Sequence, residues 1–134
     1  MGLKFSKVRN VKSPHRVGKK EAGIEFYVPK DYQGITMFHG DSVLIPLGVK
    51  VKLPEVPECL RDTHEYMLEL KNKSGVGYKK GLVVGSCVID TTYQGEVFLN
   101  LHNNTEVVTK PDGSVVNNNS IVISPNDNIV QGVL

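Results

Sequence analysis

The sequence predicts an all-β fold, a sandwich or jelly roll of many short strands in a single domain, and three observations carry that prediction. Apolar residues recur with period two: Val43, Ile45, Leu47, Val49, Val51 and Leu53 alternate with Leu44, Pro46, Gly48, Lys50 and Lys52, as on a half-buried strand. Gly and Pro punctuate the chain at Gly18, Gly34, Gly40, Pro54, Pro57, Gly75, Gly81, Gly85, Pro111-Asp112-Gly113 and Pro125-Asn126, too often to leave room for a helix of usual length. Finally, 134 residues with 40% hydrophobic content suffice for one core and give no reason to divide 1–134.

The elements follow in order. Lys4, Lys7, Arg9, Lys12, Arg16, Lys19 and Lys20 all precede the first acid, Glu21. This segment reads as a solvated strand face plus loop, because it lacks the interleaved aromatic run that stacks bases. No nucleic-acid partner is expected. The alternation over 43–53 is a long strand with a kink at Pro46-Leu47-Gly48. The only helical turn lies around Glu55 to Asp62, kept short by Pro54 and Pro57. Tyr66, Leu68 and Leu70 alternate with Glu65, Glu69 and Lys71 as a further strand. Val88 and Ile89, the turn-forming Asp90-Thr91-Thr92, and then Val97, Leu99 and Leu101 alternating with Phe98, Asn100 and His102 read as a β-hairpin. Asn117-Asn118-Asn119 reads as a hairpin loop. The apolar tail Ile129–Leu134 is either buried at a contact between subunits or an internal edge strand.

Cysteine, histidine and hydropathy exclude several classes. With only Cys59 and Cys87, no secretory leader and no long apolar run, the chain is expected in a reducing, cytoplasmic compartment, without a disulfide framework or a membrane. His15, His39, His64 and His102 are scattered, and neither Cys has a partner at zinc spacing, so no protein metal cage is visible. The best candidates for chemistry are Asp90 and Tyr93, an acid and a ring at one turn. A carboxylate there can take a proton from water, although an Asp opening a turn is often only a turn former.

Val88-Ile89-Asp90-x-x-Tyr93-x-Gly95-Glu96 resembles the third signature motif of the trimeric dUTP pyrophosphatases (dUTPases). Ala22-Gly23-Ile24-Glu25-Phe26-Tyr27 is similar to the first motif, Lys73-Ser74-Gly75-Val76-Gly77 to the second, and Asn126-Asp127-Asn128-Ile129-Val130-Gln131 to the fourth. Four motifs in family order cover most of the chain, a stronger signal than any one alone.

The resemblance implies a β-clip jelly roll, a homotrimer, and hydrolysis of dUTP to dUMP and pyrophosphate by water attack on the α-phosphorus. The third motif would come from one subunit and the first, second and fourth from a neighbour. Asp90 would orient and deprotonate the water. Tyr93 would lie against the deoxyribose and reject ribose. Uracil would be read by main-chain groups from Val88 and Ile89 to Glu96, Val97 and Leu99. Lys73, Ser74, Gly75 and Gln131 would bind phosphates. Mg²⁺ is the implied cofactor, held chiefly by the phosphates, with Glu25 reaching its waters.

This chain also departs from the pattern. Glu25 stands where the family usually has Asp, Lys73 where it has Arg, and Gln94 where it has Arg; the segment 54–64 is longer. No Gly-rich, Arg-containing fifth motif precedes Leu134. The compact, departed motifs suit a phage or viral member, in which case the compartment is the host cytoplasm. Three other readings remain: a nucleotide-binding or regulatory protein on this fold with little turnover, a dCTP deaminase, and a non-nucleotide β-sandwich module. The deaminase fares worse, since Val97-Phe98-Leu99-Asn100-Leu101 carries no acid.

Overall fold

A computed structural model describes residues 2–16, 18, 23–73, 81–85, 88–105, 108–117 and 120–134. Among them the strands are β1 (Lys4–Lys7), β2 (Ile24–Phe26), β3 (Ile35–Met37), β4 (Ser42–Pro46), β5 (Val49–Lys52), β6 (Leu68–Asn72), β7 (Leu82–Val84), β8 (Val88–Ile89), β9 (Phe98–Asn103), β10 (Val108–Thr109), β11 (Val115–Asn117), β12 (Ile121–Ile123) and β13 (Val130–Val133). The fold is all-β, as expected, and the one helical element among the described residues is a 3₁₀ turn at Glu58–Leu60, directly after Pro57 and inside the expected stretch from Glu55 to Asp62. No helix among the described residues is long and apolar enough to cross a membrane.

Two larger sheets organise the molecule. One has the order β2-β13-β6-β8 and the other β4-β9-β7, with two-stranded ribbons β1-β5, β3-β12 and β10-β11 beside them. Alternation decides what each strand buries. On β9, Leu99, Leu101 and Asn103 turn inward while Phe98 stays exposed. Leu99 and Leu101 meet Phe26, Ile45, Leu68, Leu70, Leu82, Ile89 and Val130 in one core cluster drawn from both sheets. Each such side chain, once fully buried, contributes about 1.5–3 kcal/mol.

The kink at Pro46-Leu47-Gly48 is a complete break. Pro46 ends β4, which pairs with β9, whereas β5 pairs with β1. Gly48 takes φ of 75°, and a Cβ there would come within 2.9 Å of Val11, so both backbone and space call for glycine. Leu47 N–H donates to the Val97 carbonyl at 2.9 Å, and Val97 N–H to the Val49 carbonyl at 2.8 Å. The break is thereby stitched to residue 97.

Three local expectations need correction. The strands flanking Asp90 do not form a hairpin: β8 pairs with β6, while β9 pairs with β4 and β7. Ile89 and Leu99 enter the same core from different sheets, so residues 90–97 bridge the sheets instead of closing one ribbon. Asn117 belongs to β11, opposite Val108; the hairpin turns instead at Pro111-Asp112-Gly113, where Gly113 N–H donates to the Lys110 carbonyl. Residues 118 and 119 lie outside the described ones. The apolar tail is not an edge: β13 pairs with β2 on one side and β6 on the other.

Candidate functional site

The bridge between the sheets presents Asp90 and Tyr93 together. Both line a cleft of about 490 Å³ whose walls include Leu44, Val88, Ile89 and Phe98. They also line a second cleft of about 440 Å³ that includes Lys52, Glu65 and Gln94. The Asp90 Oδ1 accepts the Thr92 hydroxyl at 2.7 Å and the Thr92 N–H at 3.2 Å. Those hydrogen bonds, with a smaller one from the Tyr93 N–H, hold its carboxyl below the usual range because they favour the charged form.

Asp112 serves as an internal control. Its Oδ1 accepts the Ser114 hydroxyl and N–H at 2.6 and 2.9 Å, and its pKa is lowered for the same reason. The turn chemistry is therefore generic; what sets Asp90 apart is the ring beside it and the clefts it faces.

Tyr93 is held by its own loop. Its hydroxyl donates to the Glu96 carbonyl at 2.5 Å, and its ring lies so close over Gly95 that a Cβ there would stand 2.7 Å from the hydroxyl oxygen. The spacing Tyr93-x-Gly95-Glu96 is thus a mechanical unit: Gly95 makes room and Glu96 anchors. Tyr93 remains 43% exposed, so the pinned ring offers a surface.

Two expected substrate contacts are engaged elsewhere. The Glu96 carboxylate takes the Arg9 guanidinium at 2.7 and 3.0 Å and the Gly48 N–H at 3.0 Å. Val97 is fully buried, and both its backbone groups are used by Leu47 and Val49. Neither the Glu96 side chain nor the Val97 main chain is left to read a base. Val88 has its side chain in the first cleft, with Ile89 largely buried beside it.

A second group collects on the outward face of the four-stranded sheet, where register sets Glu25 opposite Gln131 and Gln131 opposite Lys71. Lys73 Nζ lies 2.5 Å from Glu25 Oε1. Asn128 Nδ2 donates to Oε2 at 2.6 Å and the Tyr27 hydroxyl at 3.4 Å. His15 bridges to Glu25 through its backbone, stacks on Tyr27 with ring centroids 5.6 Å apart, and brings Nε2 to 4.0 Å from Glu25. The Lys73 ammonium depresses the Glu25 pKa against an opposing effect of burial, with Asn128 assisting. Asn128 Oδ1 is buried and has no partner among the described residues; a group left so costs about 1–3 kcal/mol. Gln131 lies across Gly23 and donates to the Asn72 carbonyl at 3.2 Å. Ser74 and Gly75 fall outside the described residues.

The sequence reading missed Arg9, His15, Tyr27 and Asn128. Tyr27 and Asn128 sit in the quoted first and fourth motifs, and Tyr27 shares the face of Glu25 by alternation, so both were within reach. Arg9 and His15 carry no such signal, because their partners lie far along the chain or across a bridge. Asp90 and Tyr93 share no cleft with Glu25, Lys73 or Gln131 among the described residues.

Nor do three His, Cys, Asp or Glu side chains gather as metal ligands among the described residues. Both Glu25 oxygens already have donors, so this group does not fit a divalent ion as it stands.

No family model matches the chain. In sequence it is 28% identical over 102 residues to the deoxyuridine 5'-triphosphate nucleotidohydrolase of Aeromonas salmonicida, covering 75% of this chain and 54% of that protein. The corresponding protein of Burkholderia thailandensis is 33% identical over 81 residues, covering 58% and 49% respectively. The matched segments thus span about half the length of these relatives.

In structure it superposes on a mutant dUTPase of Staphylococcus bacteriophage 80alpha solved with dUpNHpp, with a TM-score of 0.76, 22% identity, and 98% of this chain and 80% of that one covered. A mutant dUTPase from phage phi11 of S. aureus, described with a structural Mg(II) ion, gives 0.75 at 23% identity, covering 98% and 88%. The bridging turn, the outward-facing cluster and these likenesses lead to one conclusion: the chain has the fold of the dUTPases and resembles them in sequence over three quarters of its length.

Proposed function

We propose that this chain, as one dUTPase-like domain over 1–134, hydrolyses dUTP to dUMP and pyrophosphate. The observation that carries the reading is Tyr93 pinned over Gly95 beside an ionised Asp90, both facing open clefts. The nucleotidohydrolase relatives and the phage 80alpha dUTPase with dUpNHpp support dUTP as the substrate.

In the proposed step a water oxygen attacks the α-phosphorus, the bond from that phosphorus to the bridging oxygen breaks, and pyrophosphate leaves. Asp90 accepts the water's proton. Its lowered pKa keeps it ionised at neutral pH, and this chemistry asks for positioning and charge neutralisation more than for a strong base. Tyr93 packs on the deoxyribose, where a 2′-hydroxyl would meet the ring. Main-chain groups near Val88 and Ile89 read uracil, and cytosine would leave them unpaired.

The phosphates fall to Lys73, Ser74, Gly75 and Gln131. Among the described residues, Lys73 and Gln131 share no cleft with Asp90 in one chain, which supports a site completed by a second copy, as in a homotrimer. Mg²⁺ enters with the triphosphate, which supplies oxygen ligands that the described residues do not gather.

Pyrophosphate release from dUTP, dCTP, dTTP and UTP with Mg²⁺, for wild type and Asp90→Asn, tests the reading. Wild type is expected to select dUTP. Asp90→Asn is expected to lose at least about 100-fold in kcat while still binding dUpNHpp. Equal turnover by both proteins would remove Asp90 as the base, and binding without turnover by wild type would leave a nucleotide-binding module.

A further inference from the structure

Two departures from the resembled pattern, Glu25 for Asp and Lys73 for Arg, touch each other in the structure: Lys73 Nζ lies 2.5 Å from Glu25 Oε1. The pair reaches over β13, which runs between β2 and β6. Two strand spacings of about 4.8 Å separate the outer strands, so the bridge needs length from both side chains. An Asp at residue 25 would fall short by one methylene, about 1.5 Å. The exchanges are therefore coupled: the longer acid meets the shorter-headed base.

The pairing also decides what Glu25 is free to do. Its side chain is 16% exposed, Oε1 is taken by Lys73, and Oε2 by Asn128 and Tyr27. Lys73 keeps 24% of its side chain exposed and immediately precedes Ser74-Gly75. A lysine ammonium on a flexible stem has no built-in direction, unlike a guanidinium fork. Here the direction comes from Glu25, itself held by the two donors on Oε2.

We infer that Glu25 is the positioning residue for Lys73, holding the ammonium ready for the substrate's phosphates, and that it takes no part in holding a metal's waters. The inference rests on the dUTP reading above and replaces the role that the family resemblance implied for Glu25, that of reaching the waters of Mg²⁺.

The test is calorimetric titration of the full chain with dUpNHpp and with dUMP, across a series of Mg²⁺ concentrations. Glu25→Gln is expected to weaken dUpNHpp about tenfold, as for a lost charge-assisted contact, to leave dUMP within about twofold, and to keep the Mg²⁺ concentration for half-maximal binding unchanged. Glu25→Asp should show the same loss, and adding Lys73→Arg, which reaches further, should restore dUpNHpp binding to within about threefold of wild type.

The inference is overturned if Glu25→Gln raises the Mg²⁺ requirement severalfold while affinity at saturating Mg²⁺ stays at the wild-type level. It is overturned equally if the single variants lower only the melting temperature, or if the double variant shows no rescue. A wild-type chain that binds neither ligand would instead remove the dUTP reading itself, and this inference with it.

Discussion

At the scale of single residues, the site depends on how tightly each side chain is held by its neighbours. Tyr93 fits only because Gly95 has no side chain. Gly95→Ala is expected to push the ring off its anchor on the Glu96 carbonyl; selectivity for dUTP over UTP should fall by about tenfold or more with little change in melting temperature, since the loop is exposed. Steady-state kinetics on the two substrates checks this.

Glu25 makes a different prediction, in pH. Its pKa is depressed in the folded chain, chiefly by Lys73, so its stabilising contribution is complete above the ordinary carboxylate range and is lost as pH falls through the lowered value. Thermal melts of wild type and Glu25→Gln should differ most near neutrality and converge on acidification below about pH 4. A gap in melting temperature that stays constant down to pH 2 would mean that the pairing does not depend on ionisation.

At the scale of elements, the bridge from β8 to β9 is tied to the β4–β5 break by Glu96, which holds both Arg9 and the Gly48 N–H. The two partners of this ion pair are unequal: Arg9 is 40% exposed and Glu96 only 12%. Arg9→Met should therefore cost less than about 1 kcal/mol, as exposed pairs do. Glu96→Ala strands a backbone donor and should cost about 1–3 kcal/mol. Urea titration of both variants reads the difference. Equal costs would mean that the Gly48 N–H finds water and that the tie is only electrostatic.

At the scale of the whole molecule, the fold class was legible because period-two alternation and Gly-Pro punctuation are local signals. The break at Pro46-Leu47-Gly48 and the short turn after Pro57 were legible for the same reason. Sheet membership was not. The strands on either side of Asp90 are neighbours in sequence but join different sheets, and alternation says which face a residue takes, not which strand lies beside it. The candidate site, whose roles stand as proposals, followed the same rule. Asp90, Tyr93, Lys73 and Gln131 could be named from motifs, whereas the contact between Asn128 and Glu25 spans 103 positions, and the engagement of Glu96 by Arg9 spans 87. Charge was readable in amount but not in placement: Lys4 and Lys7 lie on a ribbon where Lys4 faces Lys52.

The place of β13 has a consequence for how the molecule comes into being. Apart from a single bridge to His15, β2 has no ladder partner among the described residues until Val130–Val133 slot in beside it. During synthesis, then, Phe26 emerges well before the strand that shelters it, and the outward cluster cannot be completed until β13 has been made. The protein completes its Glu25 group only after Asn128 has been made, in the same event that closes its core.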